Sequence, residues 1–314
     1  MKVLLTDQAF PDTDLESEML AESGHDLIVA SSPEDVRKLA PEADAILNAL
    51  APIGADLIAM MTKARIIARY GIGVDNIDVE AATSSGIVVT NVPDYCVEEV
   101  ASHAVAMALM LLRNLQRADE SARAGQWGVR SVRPLHRIST LTVGLLGFGR
   151  IGRLVATSMA SFGSDILVHD PYAAQIPGPF QRVDQDELFT RSNILFLHAP
   201  LTPETRGIVN EATLSKLPSE AIVINAARGP LVVLDDLVAA LRSGHLKGAA
   251  LDTFPVEPLD PNLVADVPNL LLSPHTAFYS EEAIKESQLK ATRQIVKVLA
   301  GEPADYPVKA VTSP

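Results

Sequence analysis

The chain has 314 residues, 47% of them hydrophobic and 21% charged, a balance expected of about two domains that each bury a core. Its net charge of −13 works against non-specific nucleic-acid binding, which needs cations to neutralise phosphates. A secretory leader and a membrane span are not expected, because a carboxylate arrives at Asp7 and the longest apolar helical run, Ala104–Leu112, is too short to cross a bilayer.

Short apolar runs alternate with helix-like segments, the pattern of parallel α/β folds. Strands are expected at Val3–Thr6, Leu27–Ala30, Ala45–Asn48, Ile66–Ala68 and Val88–Thr90, with helices between them. A single cysteine, Cys96, excludes an intramolecular disulfide and suits a reducing, cytoplasmic setting. A long apolar-rich helix is expected over Val97–Gln116. It has Glu98 and Glu99 near its start and Arg113 and Arg117 near its end, as the helix dipole favours. A second set of six strands is expected at Leu141–Leu146, Ile166–His169, Ile194–His198, Ile222–Asn225, Ala249–Leu251 and Leu270–Ser273. A final helix, capped by Ser280, runs towards Leu299. It could return to the first set of strands.

Residues 144–152 read Gly-Leu-Leu-Gly-Phe-Gly-Arg-Ile-Gly behind an apolar strand and ahead of a helical pattern, and eighteen positions after Gly152 an apolar run ends on Asp170. This is the spacing of a dinucleotide loop. Gly147 makes the strand-to-helix turn, Gly149 lets the backbone approach a pyrophosphate, and Gly152 lets helix and strand pack closely. The helix start offers free N–H groups to phosphates. Asp170 would accept ribose hydroxyls and repel a 2′-phosphate. No Arg or Lys directly follows it, so NAD is expected as the cofactor rather than its phosphorylated form.

A partner site must hold the substrate against the nicotinamide, and three motifs fall just after late strands, where ligands bind in such sheets. They are Asn225-Ala226-Ala227-Arg228-Gly229, Asp252-Thr253-Phe254-Pro255-Val256-Glu257-Pro258 and Ser273-Pro274-His275-Thr276-Ala277. A guanidinium grips a carboxylate with two parallel hydrogen bonds. A histidine can exchange a hydroxyl proton near neutral pH, with a carboxylate to orient its ring. The seven histidines show no metal-ligand spacing, so no metal is expected. No Gly-x-Ser-x-Gly nucleophile element is present either.

These motifs, together with Gly71-Ile72-Gly73-Val74-Asp75-Asn76-Ile77-Asp78, Asn91-Val92-Pro93 and His198-Ala199-Pro200-Leu201-Thr202, resemble the D-isomer-specific 2-hydroxyacid dehydrogenases over almost the whole chain. The resemblance implies two doubly wound α/β domains. One is a discontinuous, flavodoxin-like substrate domain of residues 1–98 and 284–314. The other is a Rossmann NAD-binding domain of residues 99–283, with the active site in the cleft and a homodimer built on the NAD domain. It implies that His275 is the acid/base, Glu257 its partner and Arg228 the carboxylate anchor, with Ile72 and Gly73 holding the same carboxylate through backbone N–H groups. Arg150 and Ile151 would lie at the pyrophosphate, Pro200 and Thr205 at the adenosine half, and Asp252 at the nicotinamide carboxamide. His198, Ala199, Ala226 and His275 itself complete the implied cofactor contacts.

Within that family, Asp94–Glu99 and the run from Pro274 to Ser280 are similar to the C-terminal-binding-protein branch, which includes NADH-binding corepressors, and the hydroxypyruvate (glyoxylate) reductases are the other close branch. Phe278 stands where those corepressors carry a larger ring, and Arg69 matches an arginine near substrate or cofactor. Two positions depart from the pattern: Ser102 replaces an acid before His103, and Val233 stands where an Asp is common. The loop Asn48–Pro52 holds no Lys or Arg, so a small unphosphorylated 2-oxo or 2-hydroxy acid is the expected substrate. The alternatives are a corepressor-like scaffold with incidental turnover, or a 3-phosphoglycerate dehydrogenase.

Overall fold

The computed structural model describes residues 1–308, which form two compact units. The first joins Met1–Tyr95 to the chain from Ser280 onward, and the second is Cys96–Tyr279. These boundaries fall three and four residues earlier than the sequence suggested. The reason is local: Cys96 and Ser280 are the cap positions of the helices Val97–Arg113 and Glu281–Leu299, and each helix joins its unit with its cap.

The first unit holds β1 (Lys2–Leu5), β2 (Asp26–Val29), β3 (Ala45–Asn48), β4 (Ile66–Arg69) and β5 (Val88–Thr90), all parallel, in the order β2-β1-β3-β4-β5. This is the flavodoxin-like winding. Its strands are apolar on both faces, as a sheet covered on both sides requires. Leu4, Ile46, Ile67 and Val89 pack towards Val36, Leu57 and Ile58. Val3, Leu5, Ala45, Leu47 and Ile66 point the other way, towards Leu20, Ala291, Ile295 and Val298. The last three belong to Glu281–Leu299, so burial of that helix's apolar stripe is what brings the end of the chain back. Each fully buried Leu or Ile in such a face contributes about 1.5–3 kcal/mol. Ser280 accepts the Ala283 N–H at 2.9 Å, and Glu281 and Glu282 occupy the first turn as expected.

In the second unit, β6 (Thr142–Leu146), β7 (Asp165–His169), β8 (Gln181–Arg182), β9 (Ile194–Leu197), β10 (Ala221–Asn225), β11 (Leu246–Leu251) and β12 (Leu270–Leu272) form one parallel sheet. Its order is β12-β11-β10-β9-β6-β7-β8. With β6 as the first strand this is the Rossmann order, extended by one strand at the far edge. Seven strands rather than six are present because β8 is two exposed polar residues that carry no apolar signal. The long helix also stops at Arg113 instead of Gln116. Asn114 adopts a left-handed conformation (φ 48°), and Arg117 belongs to a separate helix, Leu115–Arg123. Val233 caps Leu234–Arg242 without a side-chain hydrogen bond, the local cost of lacking an Asp there. Among the described residues no helix is long and apolar enough to cross a membrane.

Candidate active site

The sequence demands close contact at the end of β6, and the structure supplies it. Gly147 has φ +95°, and a methyl group there would stand 2.6 Å from the backbone of His198 and Ala199. A methyl at Gly152 would come within 2.5 Å of the Gly147 carbonyl oxygen. At Gly149 a methyl would meet nothing within 4 Å, and both Gly149 and Arg150 are exposed. The helix Arg150–Ala160 begins there with no side-chain cap, so its first-turn N–H groups are left for an external acceptor. Open space over uncapped amides fits a diphosphate, with Arg150 and Ile151 in the first helical turn.

Asp170 follows β7 and braces this loop. Its Oδ2 accepts the Phe148 N–H at 2.7 Å, and its Oδ1 accepts those of Tyr172 (2.8 Å) and Ala173 (3.1 Å). A carboxylate has room for about one further donor beside these, as a ribose hydroxyl would need. Arg182 on β8 lies beside the same turn, its Nη1 donating to the Asp170 carbonyl at 3.0 Å and its Nη2 to that of Ala173. This cation lies twelve residues beyond Asp170, outside the stretch that directly follows it.

His198 lies beneath the glycine turn, stacked on Phe196 with ring centroids 6.1 Å apart. Its Nε2 is sealed from solvent with no hydrogen-bond partner among the described residues, and burial pushes its pKa down to about 4 from 6.5. The folded protein therefore keeps His198 neutral down to about pH 4, whereas the unfolded chain takes up a proton below about 6.5. Stability from this group is complete above 6.5 and falls as the pH drops towards 4, by about 3 kcal/mol. Urea unfolding should show that loss in the wild type and a flatter profile in His198→Met; parallel profiles would contradict it. Ala199 is buried beside the turn. Thr205 spends its hydroxyl closing its own loop, donating to the Pro200 carbonyl at 2.7 Å.

The three late motifs converge within the second unit. His275 Nδ1 lies 2.7 Å from Glu257 Oε2, and Glu257 Oε1 accepts the Phe254 N–H at 2.9 Å. Burial, the largest single influence, pushes the Glu257 carboxyl up. It is outweighed by the hydrogen bonds from His275 and Phe254 and by the charges of His275 and Arg228, so the group ends below the usual glutamate range. An ionised carboxylate only accepts, so the ring carries its proton on Nδ1 and presents Nε2 for exchange. Arg228 is near enough for its charge to be felt at Glu257. The contact between their segments is tight, since a methyl at Gly229 would overlap the Phe254 backbone at 1.9 Å. Phe278 meets the imidazole edge-on, with centroids 6.1 Å apart.

His275 itself has φ 54°, a left-handed conformation that costs a non-glycine residue about 1–3 kcal/mol and persists only where its surroundings impose it. Asp252 belongs to those surroundings. It is 1% exposed, and its oxygens accept from Ser273 Oγ, the Thr276 N–H and the Ala277 N–H. Asn225, fully buried at the end of β10, holds the Arg228 carbonyl at 2.9 Å and the Ala227 N–H at 3.1 Å, fixing the turn that includes Ala226. Asn225, Ser273 and His103 carry no sequence signal for these contacts. Their bonds join residues distant in the chain or lie within a turn, and periodicity reports neither.

In the first unit, Arg69 ends β4 and folds its guanidinium over Gly71, where a methyl would come within 2.0 Å of Nη1. Ile72 and Gly73 follow directly, and the Ile72 carbonyl accepts from Asn91 Nδ2 at 2.6 Å. Asp7 accepts from the N–H groups of Ala49, Leu50 and Ala51, fastening the loop after β3.

Residues 105–277 match the family model described as D-isomer specific 2-hydroxyacid dehydrogenase, NAD binding domain. The chain is 37% identical to D-3-phosphoglycerate dehydrogenase of Mycobacterium leprae over 86% of its own length and 52% of that protein's. It thus spans about half the length of the first such relatives. It is 36% identical to glyoxylate reductase of Thermofilum pendens, covering 86% of this chain and 83% of that one. The solved TT0316 protein from Thermus thermophilus superposes with a TM-score of 0.89 at 31% identity, over 98% of this chain and all of the other. Paired with a parallel sheet of Rossmann order and an uncapped glycine turn, these likenesses place the chain in the D-isomer specific 2-hydroxyacid dehydrogenase family, with NAD as its cofactor.

Proposed function

We propose that the protein interconverts a small, unphosphorylated 2-oxo acid and its D-2-hydroxy acid. The observation that carries the reading is the His275–Glu257 pair, with the charge of Arg228 alongside. NADH held at the glycine turn by the first-turn amides, Arg150 and Asp170 would supply a hydride for C2 of the oxo acid. Arg228 grips the substrate carboxylate by paired hydrogen bonds and polarises the neighbouring carbonyl. Glu257 holds the imidazole by Nδ1, and His275 delivers the proton from Nε2 to the oxygen on C2 as that carbon is reduced. The oxidative direction returns the proton to the same nitrogen. Arg69, Ile72, Gly73 and Phe278 are proposed substrate contacts. Ala199, Pro200, Thr205, Ala226 and Asp252 are proposed to flank the cofactor, with His198 beneath its loop.

The substrate class is supported by the loop after β3, which offers no cation and whose amides are already taken by Asp7. A phosphorylated substrate is the second reading, favoured by the M. leprae relative and by Arg69 at the end of β4. NADH oxidation across a panel of 2-oxo acids should show glyoxylate or hydroxypyruvate turned over at least tenfold more efficiently, by kcat/KM, than the phosphorylated oxo acid derived from 3-phosphoglycerate. The reverse order would overturn the proposed class, and trace rates with every member would favour a scaffold. A homodimer through the NAD-binding unit is proposed as well, because Leu115, Trp127 and Val129 stand exposed along one stretch of it. Light scattering that returned the mass of one chain would contradict that.

A further inference from the structure

We infer that His103 and Ser273 are positioning residues for His275, acting through the buried carboxylate of Asp252. The inference rests on the reading of His275 as the proton donor. Three residues in a row after β12 are tied to Asp252: the His275 N–H donates to its carbonyl at 2.9 Å, and the N–H groups of Thr276 and Ala277 donate to its side chain at 2.9 and 3.0 Å. The left-handed backbone of His275 is what these three bonds hold in place.

Ser273 and His103 complete the array. The Ser273 hydroxyl has a single proton and gives it to Asp252 Oδ1. Its contact with His103 Nε2, at 2.9 Å, therefore needs the proton on the imidazole, so His103 donates and Ser273 accepts. The same Nε2 is 3.7 Å from Asp252 Oδ1. A directional chain results: His103 to Ser273, Ser273 to Asp252, and Asp252 to the amides around His275. His103 lies on the helix Val97–Arg113 and is about one-third exposed, whereas Asp252 is sealed. Ser102, the departure beside it, turns its hydroxyl to the Glu99 carbonyl and takes no part. Removing Ser273 leaves a buried carboxylate short of a donor, and removing His103 takes away the donor that holds the Ser273 hydroxyl on it; the bonds left to Asp252 are those that shape the catalytic loop.

The test uses the full chain with Ser273→Ala, His103→Leu, His103→Gln and the Ser273→Ala/His103→Leu double variant. Misplacement of a reacting group lowers turnover by about ten- to a hundredfold. Ser273→Ala and His103→Leu should each lower kcat by such a factor while NADH affinity, read by fluorescence titration, stays within twofold. The double variant should be no worse than the poorer single one, and His103→Gln, which keeps an N–H donor, should recover most of the rate. Unchanged kcat in both single variants, fully multiplicative losses, or a glutamine as damaging as leucine would overturn the inference. His275→Asn serves as the control. If it retains turnover, the reading of His275 fails, and amide exchange at His275–Ala277 then decides the positioning claim alone. Faster exchange in Ser273→Ala and His103→Leu supports it, and unaltered exchange refutes it.

Discussion

Replacing His275 with Asn is expected to lower kcat for 2-oxo acid reduction by about 10²–10⁴-fold, the range that general acid–base help supplies. Asn suits this position physically. His275 sits at φ 54°, and Asn is among the few residues that adopt that region readily. The Asp252 bonds to the amides of residues 275–277 are kept, so the loop should retain its shape. What disappears is a ring with one nitrogen anchored on Glu257 and the other able to exchange a proton. NADH binding and the thermal midpoint should match the wild type, which separates loss of chemistry from loss of fold. Glu257→Gln should be milder, because an amide oxygen can still accept from Nδ1 while the charge is lost. A His275→Asn enzyme within threefold of wild-type kcat would remove His275 from the mechanism.

Gly229→Ala is expected to be the most damaging single methyl group that can be added to the second unit's site. The added carbon would stand 1.9–2.5 Å from the carbonyl carbon, oxygen and Cα of Phe254, all backbone atoms that no rotamer change can move aside. Overpacking of that kind costs about 1–3 kcal/mol, occasionally more. The functional cost is larger than the stability cost suggests. The contact lies between Arg228 on one segment and the stretch leading to Glu257 on the other, so any relief parts the two charged groups. Chemical denaturation should report the loss of stability, and kcat/KM for a 2-oxo acid should fall by about a hundredfold or more, as a displacement near 1 Å can produce. A variant with wild-type stability and wild-type kcat/KM would show that the two segments need no such approach.

Much of this fold is legible in the chain because burial on both faces of a parallel sheet leaves unbroken apolar runs. Ile194–Leu197 and Ala221–Asn225 are buried at every position, and such runs read directly as strands. The glycine turn is equally readable: Gly147 and Gly152 are needed by contacts with neighbours a few residues or one strand away. Ser280 and its acidic first turn mark the last helix for the same reason of locality. Legibility ends where the determinant is remote or polar. β8 forms through pairing with β7 at the sheet edge and buries nothing. The break at Asn114 depends on one left-handed residue inside a run of good helix formers. In the site, the chemistry-bearing types Arg228, Glu257 and His275 stand out. Asn225, Ser273 and His103 do not, because serine, asparagine and a lone helical histidine are ordinary surface residues until the fold buries their partners. Arg182 reaches the Asp170 turn across twelve residues of sequence, a distance no local pattern spans.

The proposed reaction is direct hydride delivery to a 2-oxo carbon with proton transfer from one histidine. NADH dideuterated at nicotinamide C4, incubated with the protein and the best 2-oxo acid of the panel, provides the most direct test. Mass spectrometry and chiral chromatography of the product should find one deuterium on C2 of the D-2-hydroxy acid, formed at least a hundredfold more slowly by His275→Asn. Bound cofactor with no deuterated hydroxy acid, or equal label from wild type and variant, would contradict the account.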